Sequence, residues 1–446
     1  MCGICGHVAS SELINKTSIE KMTSELSRRG PDFQGSFYKE IDDCKIGFGH
    51  ARLSIIDLNA HANQPFVYNE YILIFNGEIY NYKEIRQNLI SLGYTFHTDS
   101  DTEVVIKAYD LWGANALDKF NGMFAFSIHN SENNTLFLAR DRAGIKPLYY
   151  HWDGRNFIFA SELKSILKSN VFVKKISKEG LHDYMKYGFI HEPLSIYENC
   201  FKLKQGHYLT LDIYGKNVDI KQYWDVENLY KSGLGDKFDV VTDTKLKNLL
   251  SDSFNLRMVS DVPVGLFLSG GYDSSYVLGL LKKNNPDIDI TTFTIGFEEE
   301  EFNESEDANN IAGYLNIKNK QKVFKGSDAL NLINIIPEVY DEPFSDKSLF
   351  PTLILSEFAS KHVKVALSAD GGDELFGGYS YYNSLLKKQK QLSRIPSLLS
   401  RLNFSWYRNV KYKDFGSRLT RFLLSLPMDI SQLQDLSRQI FIDQDL

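Results

Sequence analysis

A glycine-rich turn between a predicted strand and a predicted helix constrains the second half of this chain more than any other feature. The apolar residues 264–268 lead into Ser269-Gly270-Gly271-Tyr272-Asp273-Ser274-Ser275, and a helical pattern continues to residue 283. Glycines let the backbone approach phosphate groups, and the N–H groups of a helix N-terminus complement their charge. No Walker A Gly-Lys-Ser/Thr is present. The turn predicts a phosphate loop with Asp273 as a magnesium ligand, the alternative being a plain Gly-Gly turn.

The alternation of short apolar runs and helical stretches continues beyond this turn. Strands are predicted at residues 264–268, 290–296 and 363–367, with helices between them. Such alternation indicates a parallel sheet with helices on both faces. The loop Ser368-Ala369-Asp370-Gly371-Gly372-Asp373-Glu374 follows the last of these strands. Ligands of open α/β sheets bind beyond the carboxyl ends of the strands. The loop therefore predicts a second magnesium–phosphate contact, the alternative being an acidic surface loop.

The first half of the chain is typical of strands with inserted helices. A strand is predicted at residues 71–75, ending at the turn signal Asn76-Gly77. In the helix that follows, Ile85, Leu89 and Leu92 share one face, and Gly93 has the position of a C′ residue. A second helix opens at Ser100-Asp101-Thr102-Glu103, which has the spacing of a capping box.

Further strands and a domain boundary are predicted downstream. Residues 123–128 and 135–139 predict a hairpin, and residues 157–160 a short strand. A boundary is predicted between residues 224 and 238, because residues 231–237 are polar and contain glycine, as linkers do.

The N-terminus, Met1-Cys2-Gly3-Ile4-Cys5-Gly6, carries a candidate nucleophile. Cysteine is small enough for the initiator Met to be removed, which would place the Cys2 thiol beside a free α-amine. That amine has an ordinary pKa of about 8 and can act as the base for the thiol. The alternatives are an unremarkable N-terminus, or half of a Cys-x-x-Cys redox or zinc site that lacks a second pair.

Other segments carry the groups that an amino-acid ligand requires. Arg52 can clamp a carboxylate, and Glu78 and Asp101 can hold an ammonium group. The Asn76 side chain and the Gly77 N–H could form an oxyanion hole. Each has a structural alternative: a surface ion pair for Arg52, a turn for Asn76-Gly77, and a helix first turn for Asp101.

Composition excludes several classes of protein. The 446 residues are 43% hydrophobic and 24% charged, with a net charge of −7, which is ordinary globular usage without a dominant basic face. Four cysteines in such a length suit a reducing cytosol. No apolar run approaches the ~20 residues that span a bilayer, and the N-terminus lacks the apolar core of a signal peptide. We expect a cytoplasmic protein with no nucleic-acid or membrane partner.

Taken in the order in which they occur, these sequence motifs resemble those of the glutamine-dependent asparagine synthetases over essentially the whole chain. The match also includes Arg52-Leu53-Ser54-Ile55, Asn76-Gly77-Glu78-Ile79-Tyr80-Asn81, Ala139-Arg140-Asp141-Arg142, Gly144-Ile145-Lys146-Pro147, Ser260-Asp261-Val262-Pro263 and Asp341-Glu342-Pro343. The resemblance implies an α/β and α+β protein: an N-terminal-nucleophile αββα sandwich at residues 2–225, then a Rossmann-like parallel-sheet ATP-pyrophosphatase domain at residues 236–446, whose C-terminal part is missing.

The resemblance also implies roles for individual residues. Cys2 attacks the glutamine amide while Asn76 and Gly77 stabilise the oxyanion, and ammonia crosses a tunnel to a second site. There ATP, as its Mg²⁺ complex, activates aspartate as an acyl-adenylate, which ammonia attacks. Glutamine binding is implied for Arg52, Ile55, Ile56, Asn76, Glu78 and Asp101. ATP binding is implied for Phe267, Ser269, Gly270, Gly271, Asp273, Ser274, Ile295, Ser368 and Ala369. Magnesium is implied at Asp273 and Asp373, and intermediate formation at Asp370.

The chain departs from the family pattern at several positions. Asp370 stands where the best-known members carry Glu, Tyr272 replaces a Leu, and residues 316–322 contain no His. These changes are typical of a subgroup with members that amidate other carboxylates, including sugars of surface polysaccharides. The expected partners are thus glutamine, ATP and aspartate or another carboxylate, with a homodimer left open.

The end of the chain is a larger departure, because family members continue to a Lys-x-Asp motif that lies beyond Leu446. We therefore expect this chain to keep the glutaminase residues but to make little or no amide product. A non-synthesising protein that only binds glutamine or nucleotide is a further alternative.

Overall fold

The structure, a computed structural model, describes residues 1–9, 14–41, 44–233, 243–299 and 303–392, with Gln434, Asp435, Arg438 and Ile440. The strands of the first half are β1 (Gly3–Ala9), β2 (Phe33–Ile41), β3 (Cys44–Arg52), β4 (Phe66–Tyr68), β5 (Tyr71–Ile79), β6 (Gly122–Asn130), β7 (Thr135–Arg140), β8 (Tyr149–Trp152), β9 (Asn156–Ala160), β10 (Cys200–Lys202), β11 (His207–Asp212) and β12 (Asn217–Gln222). Its helices are α1 (Lys16–Ser24), α2 (Tyr82–Ser91), α3 (Asp101–Trp112), α4 (Ala116–Lys119), α5 (Leu163–Leu167), α6 (Lys178–Tyr187) and α7 (Val226–Gly233).

These twelve strands form two six-stranded sheets that pack face to face. Their orders are β10-β8-β9-β1-β3-β2 and β12-β11-β7-β6-β5-β4, and the pairings are antiparallel. Side chains alternate between the two faces of each strand. In β5, Ile72 and Ile74 pack between the sheets, whereas Leu73 and Phe75 pack with α2 and α3. On the other sheet, the outer face packs against α1 and α5. The layers are helix, sheet, sheet, helix, which confirms the predicted αββα sandwich.

The second half contains a four-stranded sheet in the order β15-β14-β13-β16, with every pair parallel. Its strands are β13 (Val264–Phe267), β14 (Thr291–Phe297), β15 (Lys318–Phe324) and β16 (Val365–Leu367). Its helices are α8 (Asp243–Leu256), α9 (Tyr272–Asn284), α10 (Ser305–Tyr314), α11 (Gly326–Leu332), α12 (Ile336–Val339), α13 (Leu349–Ser360), α14 (Gly372–Phe376) and α15 (Ser380–Leu392). The predicted parallel sheet is confirmed, and the neighbouring strands β13 and β16 bring both glycine-rich loops to one edge.

Three local predictions are wrong. Asn76-Gly77 is no turn, because β5 runs through it to Ile79 in continuous register with β6, and pairing along nine residues outweighs a two-residue preference. Ser100 caps α3 by accepting the Thr102 N–H at 3.1 Å, but Glu103 completes no capping box. Its carboxylate accepts backbone N–H groups of residues 97 and 98 instead. Leu92 is 58% exposed, because α2 ends at Ser91.

Other local predictions are confirmed. Gly93 follows α2 with a φ of 96°, the left-handed region that favours glycine, and the Tyr94 N–H donates to the Leu89 carbonyl at 3.0 Å as in a Schellman motif. Of the predicted linker, residues 231–233 belong to α7, and residues 234–237 lie outside the described part of the chain. Among the described helices, none has the length and apolar character needed to cross a bilayer.

Candidate active site

The predicted glutaminase residues meet where the facing surfaces of the two sheets reach one end of the sandwich. Cys2 precedes β1 and Arg52 ends β3, while Asn76 and Glu78 continue the inward face of β5. A cavity of about 600 Å³ opens at this end. All eight predicted residues contribute to its wall: Cys2, Arg52, Ile55, Ile56, Asn76, Gly77, Glu78 and Asp101.

The direction of hydrogen bonding in β5 decides which backbone groups face the cavity. Gly77 lies opposite Phe124 of β6. Phe124 exchanges its backbone hydrogen bonds with Asp141, whose N–H donates to the Phe124 carbonyl at 2.8 Å and whose Oδ2 accepts the Phe124 N–H at 3.1 Å. Gly77 and Phe124 are thus a non-hydrogen-bonded pair of the antiparallel ladder. The Gly77 N–H therefore points away from β6, toward the open edge of β5.

The same edge is occupied by side chains on both sides of Gly77. The Phe75 N–H donates to Gln64 Oε1 at 2.6 Å, and the Ile79 N–H donates to Asp101 Oδ2 at 3.0 Å. β4 pairs with β5 only between Tyr71 and Leu73. Residues 75, 77 and 79 all direct their N–H groups toward this edge. Those of Phe75 and Ile79 have side-chain acceptors, and the Gly77 N–H between them is placed to bind an oxygen in the cavity.

The Asn76 side chain is also available to hydrogen-bond a ligand. It is fully buried, and neither Nδ2 nor Oδ1 has a hydrogen-bond partner among the described residues. A buried, unpaired amide is unfavourable by about 1–3 kcal/mol unless something else supplies the partner. The Asn76 amide and the Gly77 N–H therefore face the cavity together, which is the arrangement that an oxyanion hole requires.

The thiol of Cys2 lies beside the backbone of Leu53, whose N–H is 3.4 Å from Sγ. Burial raises the pKa of this thiol above its ordinary value, although the Leu53 contact opposes the shift. The thiol is therefore protonated at neutral pH and requires a base to become a nucleophile. The Cys2 carbonyl accepts from Arg29 Nε at 2.9 Å, and Arg29 is paired with Glu162 at 3.1 Å.

The amine next to Cys2 has an unusual environment. Burial lowers the pKa of the Met1 α-ammonium to about 5, and the nearby cations Arg29 and Lys146 contribute to the shift. Lys146 Nζ also donates to Met1 Sδ at 2.9 Å. An amine in these surroundings is neutral at pH 7 and can accept a proton.

Glu78 and Asp101 form a buried carboxylate pair. Burial raises the pKa of Asp101 to about 6, although it accepts the Ile79 N–H. Burial, and then repulsion from Asp101, raise the pKa of Glu78, while Lys146 opposes that shift. Two carboxylates near one cation leave negative charge to be neutralised. The pair is suited to an ammonium group, as predicted for an amino-acid ligand.

Arg52 has a larger structural role than predicted. Its Nη1 donates to the Asn59 carbonyl at 2.9 Å and to Asn63 Oδ1 at 2.7 Å, and its Nη2 donates to the carbonyls of Ile56 and Asp57. The guanidinium thereby holds the loop between β3 and β4 that forms one wall of the cavity. These hydrogen bonds use both terminal nitrogens of Arg52, so Arg52 could bind a carboxylate through both nitrogens only by giving up these partners. The positive charge of the guanidinium nevertheless lies in the cavity wall.

Several residues of the cavity were missed by the sequence reasoning. Lys146 and Gln64 line it, and Lys364 reaches it from the second domain. A signal for Lys146 was present, since Asp141 lies five residues before it in an Asp-x-x-Gly turn. Asp141 Oδ2 accepts the Lys146 N–H at 3.0 Å, which directs that segment toward Cys2. Gln64 and Lys364 carry no local signal, because their partners are distant in sequence.

The predicted phosphate loop lies between β13 and α9. Ser274 Oγ accepts the Ser269 N–H at 3.1 Å, and Ser269 Oγ accepts the Gly271 N–H at 3.1 Å, so the two hydroxyls shape the turn. Gly270 is required for close approach, since a Cβ there would lie 2.9 Å from Asp307 Cβ. Helix α9 begins at Tyr272 without a side-chain cap. Its first N–H groups are therefore available to an anion.

The second loop meets the first one directly. A Cβ on Gly372 would lie 2.5 Å from Asp273 Oδ2, so the Ser368–Asp373 loop packs against the predicted magnesium ligand of the other loop. Asp373 lies in the first turn of α14, and Asp370 Oδ2 accepts from Ser368 Oγ at 2.8 Å. In the described part of the chain, no group of three or more His, Cys, Asp or Glu residues could hold a metal by itself. Two carboxylates in adjoining loops instead fit Mg²⁺ that arrives with phosphates and water.

The cavity with Cys2 extends to this second site. Phe267, Ser368 and Asp370 line it together with the glutaminase residues. Ala369 packs against the core of the parallel sheet, and Ile295 lies within β14. The cavity therefore joins the predicted glutaminase residues to only part of the second site. The other residues predicted for that site do not line it: Ser269, Gly270, Gly271, Asp273, Ser274, Ile295, Ala369 and Asp373.

The comparisons with known proteins agree with this two-part arrangement. Residues 1–224 match a glutamine amidotransferase domain and residues 245–437 match asparagine synthase. A putative glutamine-hydrolysing asparagine synthetase 2 of Methanocaldococcus jannaschii is 40% identical over 397 residues, covering 85% of this chain and 76% of that protein. The glutamine-hydrolysing asparagine synthetase 1 of Bacillus subtilis is 39% identical over 408 residues, covering 90% of this chain and 62% of that protein. The chain belongs to the glutamine-hydrolysing asparagine synthetase family.

Proposed function

We propose that this protein transfers ammonia from glutamine to aspartate, driven by ATP, and so makes asparagine through a β-aspartyl-adenylate. The observation that carries the proposal is the continuous cavity of about 600 Å³, which joins Cys2 to Asp370. A shared space lets ammonia pass between two reactions without entering bulk water, where it would be protonated. The relatives' names and the matched domains support the same chemistry.

At the first site, Cys2 would act once Met1 has been removed. Removal of Met1 moves the free α-amine to Cys2, next to the thiol, and burial at this end of the sandwich would favour its neutral form, so that it would take the thiol proton. Sγ then attacks the glutamine amide carbon, and Asn76 Nδ2 and the Gly77 N–H stabilise the oxyanion. Collapse releases ammonia and leaves a thioester, which water hydrolyses to glutamate and free Cys2. Glu78 and Asp101 hold the α-ammonium group, and Arg52 supplies positive charge for the α-carboxylate.

At the second site, ATP would bind as its Mg²⁺ complex. The Ser269–Ser274 turn and the N-terminus of α9 hold phosphates, and Asp273 and Asp373 hold Mg²⁺. An oxygen of the aspartate β-carboxylate attacks the α-phosphorus and pyrophosphate leaves. Ammonia then attacks the acyl carbon, AMP leaves, and asparagine forms. Asp370, which lines the cavity and belongs to the loop that packs against the phosphate loop, is assigned to the formation of this intermediate.

One observation favours a second acceptor class. The Tyr272 side chain is 96% exposed at the start of α9, beside the phosphate loop. An exposed aromatic ring there could pack against a sugar ring, so a sugar carboxylate is the alternative acceptor. Mass spectrometry of the amide product, with aspartate and sugar acids offered together, distinguishes the two acceptors.

The test of the proposal compares nitrogen donors. In a form of the protein that makes amide product from both donors, we expect Cys2→Ala to abolish glutamine-dependent synthesis and to spare synthesis from ammonium, because the variant loses only the first site. Cys200→Ala, which changes a buried thiol in β10, is the matched control and should retain both activities. Loss of both activities in Cys2→Ala would contradict two separate sites. ATP binding without any amide product would favour the non-synthesising alternative.

A further inference from the structure

Among the described residues, the outer edge of β5 has no strand partner beyond Leu73. Two side chains supply hydrogen bonds there in place of a neighbouring strand. Both polar backbone groups of Phe75 are satisfied in this way. Gln64 Oε1 accepts the Phe75 N–H at 2.6 Å, and His50 Nε2 lies 3.2 Å from the Phe75 carbonyl oxygen. Both contacts are buried. Phe75 directly precedes Asn76 and Gly77, which carry the two oxyanion donors.

The direction of the histidine contact follows from its chemistry. A carbonyl oxygen only accepts, so His50 Nε2 must carry the proton and donate. Burial lowers the pKa of His50 to about 3, so that the imidazole is neutral with its one proton on Nε2. Nδ1 is buried and has no hydrogen-bond partner among the described residues. The contact to Phe75 is thus the hydrogen bond that the structure gives to this ring.

Gln64 also connects the strand edge to helix α3. Its Nε2 donates to Thr102 Oγ1 at 3.2 Å, in a buried contact. The neighbouring Asp101 accepts the Ile79 N–H, two residues beyond Gly77. The edge is therefore fixed at Phe75 and at Ile79, and the Gly77 N–H between them is left for a ligand.

We propose that Gln64 and His50 are positioning residues that replace a missing edge strand and hold the oxyanion donors of Asn76 and Gly77 in place. The inference rests on the proposed function of this site. Donors that stabilise an oxyanion must lie within tenths of an ångström of the developing charge, because they act on the transition state rather than on the bound substrate. An edge segment with unsatisfied backbone groups would instead rotate or bind water.

The principal test uses two variants of Gln64 in protein from which Met1 has been removed, as checked by intact mass. Gln64→Leu removes the acceptor for the Phe75 N–H, and we expect kcat for glutamine hydrolysis to fall about tenfold or more with KM changed less than about threefold. Gln64→Glu keeps an oxygen acceptor and should recover most of the loss. Binding of glutamate γ-semialdehyde, which forms a tetrahedral adduct with a thiol, should weaken in step with kcat/KM.

The matched control is Asn81→Ala. Asn81 also joins a side chain to the backbone at one end of β5, since its Nδ2 donates to the Lys119 carbonyl at 3.0 Å and its Oδ1 accepts the Asn121 N–H at 2.9 Å. These contacts lie on the β6 side of the sheet, away from the open edge. The control should lose thermal stability and keep kcat. An equal fall in kcat for both variants would mean a general structural role and would overturn the inference.

Hydrogen exchange provides a readout that does not depend on turnover. In Gln64→Leu, amides of residues 75–79 should exchange about tenfold faster than in the wild type, while amides of β6 are unchanged. Unchanged exchange at residues 75–79 overturns the inference whatever the activity. A wild-type protein that neither hydrolyses glutamine nor forms an amide would contradict the proposed function alone, because the exchange result still decides the role of Gln64.

Discussion

Single residues at the proposed glutamine site show environments that ordinary surface residues lack. The Asn76 side chain is buried and has no hydrogen-bond partner within the described ranges. The pKa of the Cys2 thiol is raised, and the pKa of the Met1 α-ammonium beside it is lowered. Each feature is unfavourable for an isolated folded chain. In the proposed reaction, each would become favourable when an amide substrate enters and a proton moves from the thiol to the amine. The groups whose environments are unfavourable in the free protein are therefore the groups that the proposed reaction would use.

A pH dependence of glutamine binding follows from the carboxylate pair. Asp101 must be ionised to attract the ammonium group, and burial raises its pKa to about 6. The pKa of the neighbouring Glu78 is raised to about 7, so affinity should begin to fall below pH 7 and should fall more steeply below 6, where Asp101 is protonated as well. In the Cys2→Ala variant, which binds without hydrolysis, calorimetry at pH 5 to 8 measures the Kd.

The variant Asp101→Asn provides the comparison in the same background. We expect its Kd for glutamine to rise about 10- to 150-fold at pH 7.5, the loss expected for a charged hydrogen bond of about 1.5–3 kcal/mol. Its pH dependence near 6 should become weaker. Asp118→Asn, in the short helix α4, is the control and should bind like the parent. Equal pH dependence with and without Asp101 would show that the titration of Asp101 does not control glutamine binding.

At the scale of elements, sequence patterns within one helix or strand predicted most of the helices and strands. Features that depend on contacts with a distant segment were not predicted correctly. The periodicity around Leu89 and the glycine at position 93 were sufficient for α2, because a helix forms its hydrogen bonds locally. Asn76-Gly77 was misread as a turn because its conformation is set by pairing with β6, about fifty residues later. Glu103 has the capping-box spacing, yet it caps the preceding loop instead.

The two glycine-rich loops give a prediction at this scale. A Cβ on Gly372 would lie 2.5 Å from Asp273 Oδ2, so Gly372→Ala must displace the carboxylate assigned to Mg²⁺. We expect ammonium-dependent amide synthesis to fall about tenfold or more, because displacements of about 1 Å can cost 10²-fold in rate. Glutamine hydrolysis should change less than twofold, and both rates can be measured on one preparation.

The matched control for that variant is Gly279→Ala in α9. A Cβ at Gly279 would meet nothing within 4 Å, so the substitution should not disturb packing. Alanine is favoured over glycine within a helix by about 0.5–1 kcal/mol, and urea unfolding should show a gain of that order. Retained synthesis in Gly372→Ala would mean that Asp273 can move without loss of Mg²⁺ binding.

At the scale of the whole molecule, the two domains are joined by contacts that no local pattern reveals. Asp341 Oδ2 accepts the Leu163 N–H at 2.6 Å, and Glu342 pairs with Lys202 at 2.7 Å. The sequence predicted the motif that contains both carboxylates, but only as part of a family resemblance. Their partners lie more than a hundred residues earlier, so the cavity between the domains could be expected from the resemblance alone.

A further contact between the domains joins an element of one site to an element of the other. The Asp57 N–H donates to Asp261 Oδ2 at 2.7 Å, and the Asp261 N–H donates to the Ile55 carbonyl at 2.9 Å. Ile55 belongs to the loop that forms the glutamine wall, and Asp261 leads into β13, which ends at the phosphate loop. β13 thus connects a wall of the cavity to the predicted phosphate loop, so movement in the loop that contains Ile55 can be transmitted through it.

Asp261→Ala should therefore separate the two half-reactions. It removes the acceptor for Asp57 but keeps Cys2 and the oxyanion donors, so glutamine hydrolysis should stay within about twofold of the wild type. Asparagine formed per glutamine hydrolysed should fall to less than about half, because the loosened loop lets ammonia escape.

The matched control is Arg28→Ala. The Arg28 side chain pairs with Glu338 and so also joins the domains, but both side chains are more than half exposed, at 56% and 62%. Such a pair contributes at most about 1 kcal/mol and lies away from the cavity, so the ratio should not change. If Asp261→Ala keeps the wild-type ratio, the domains are sealed by other contacts, and the strand is only a support.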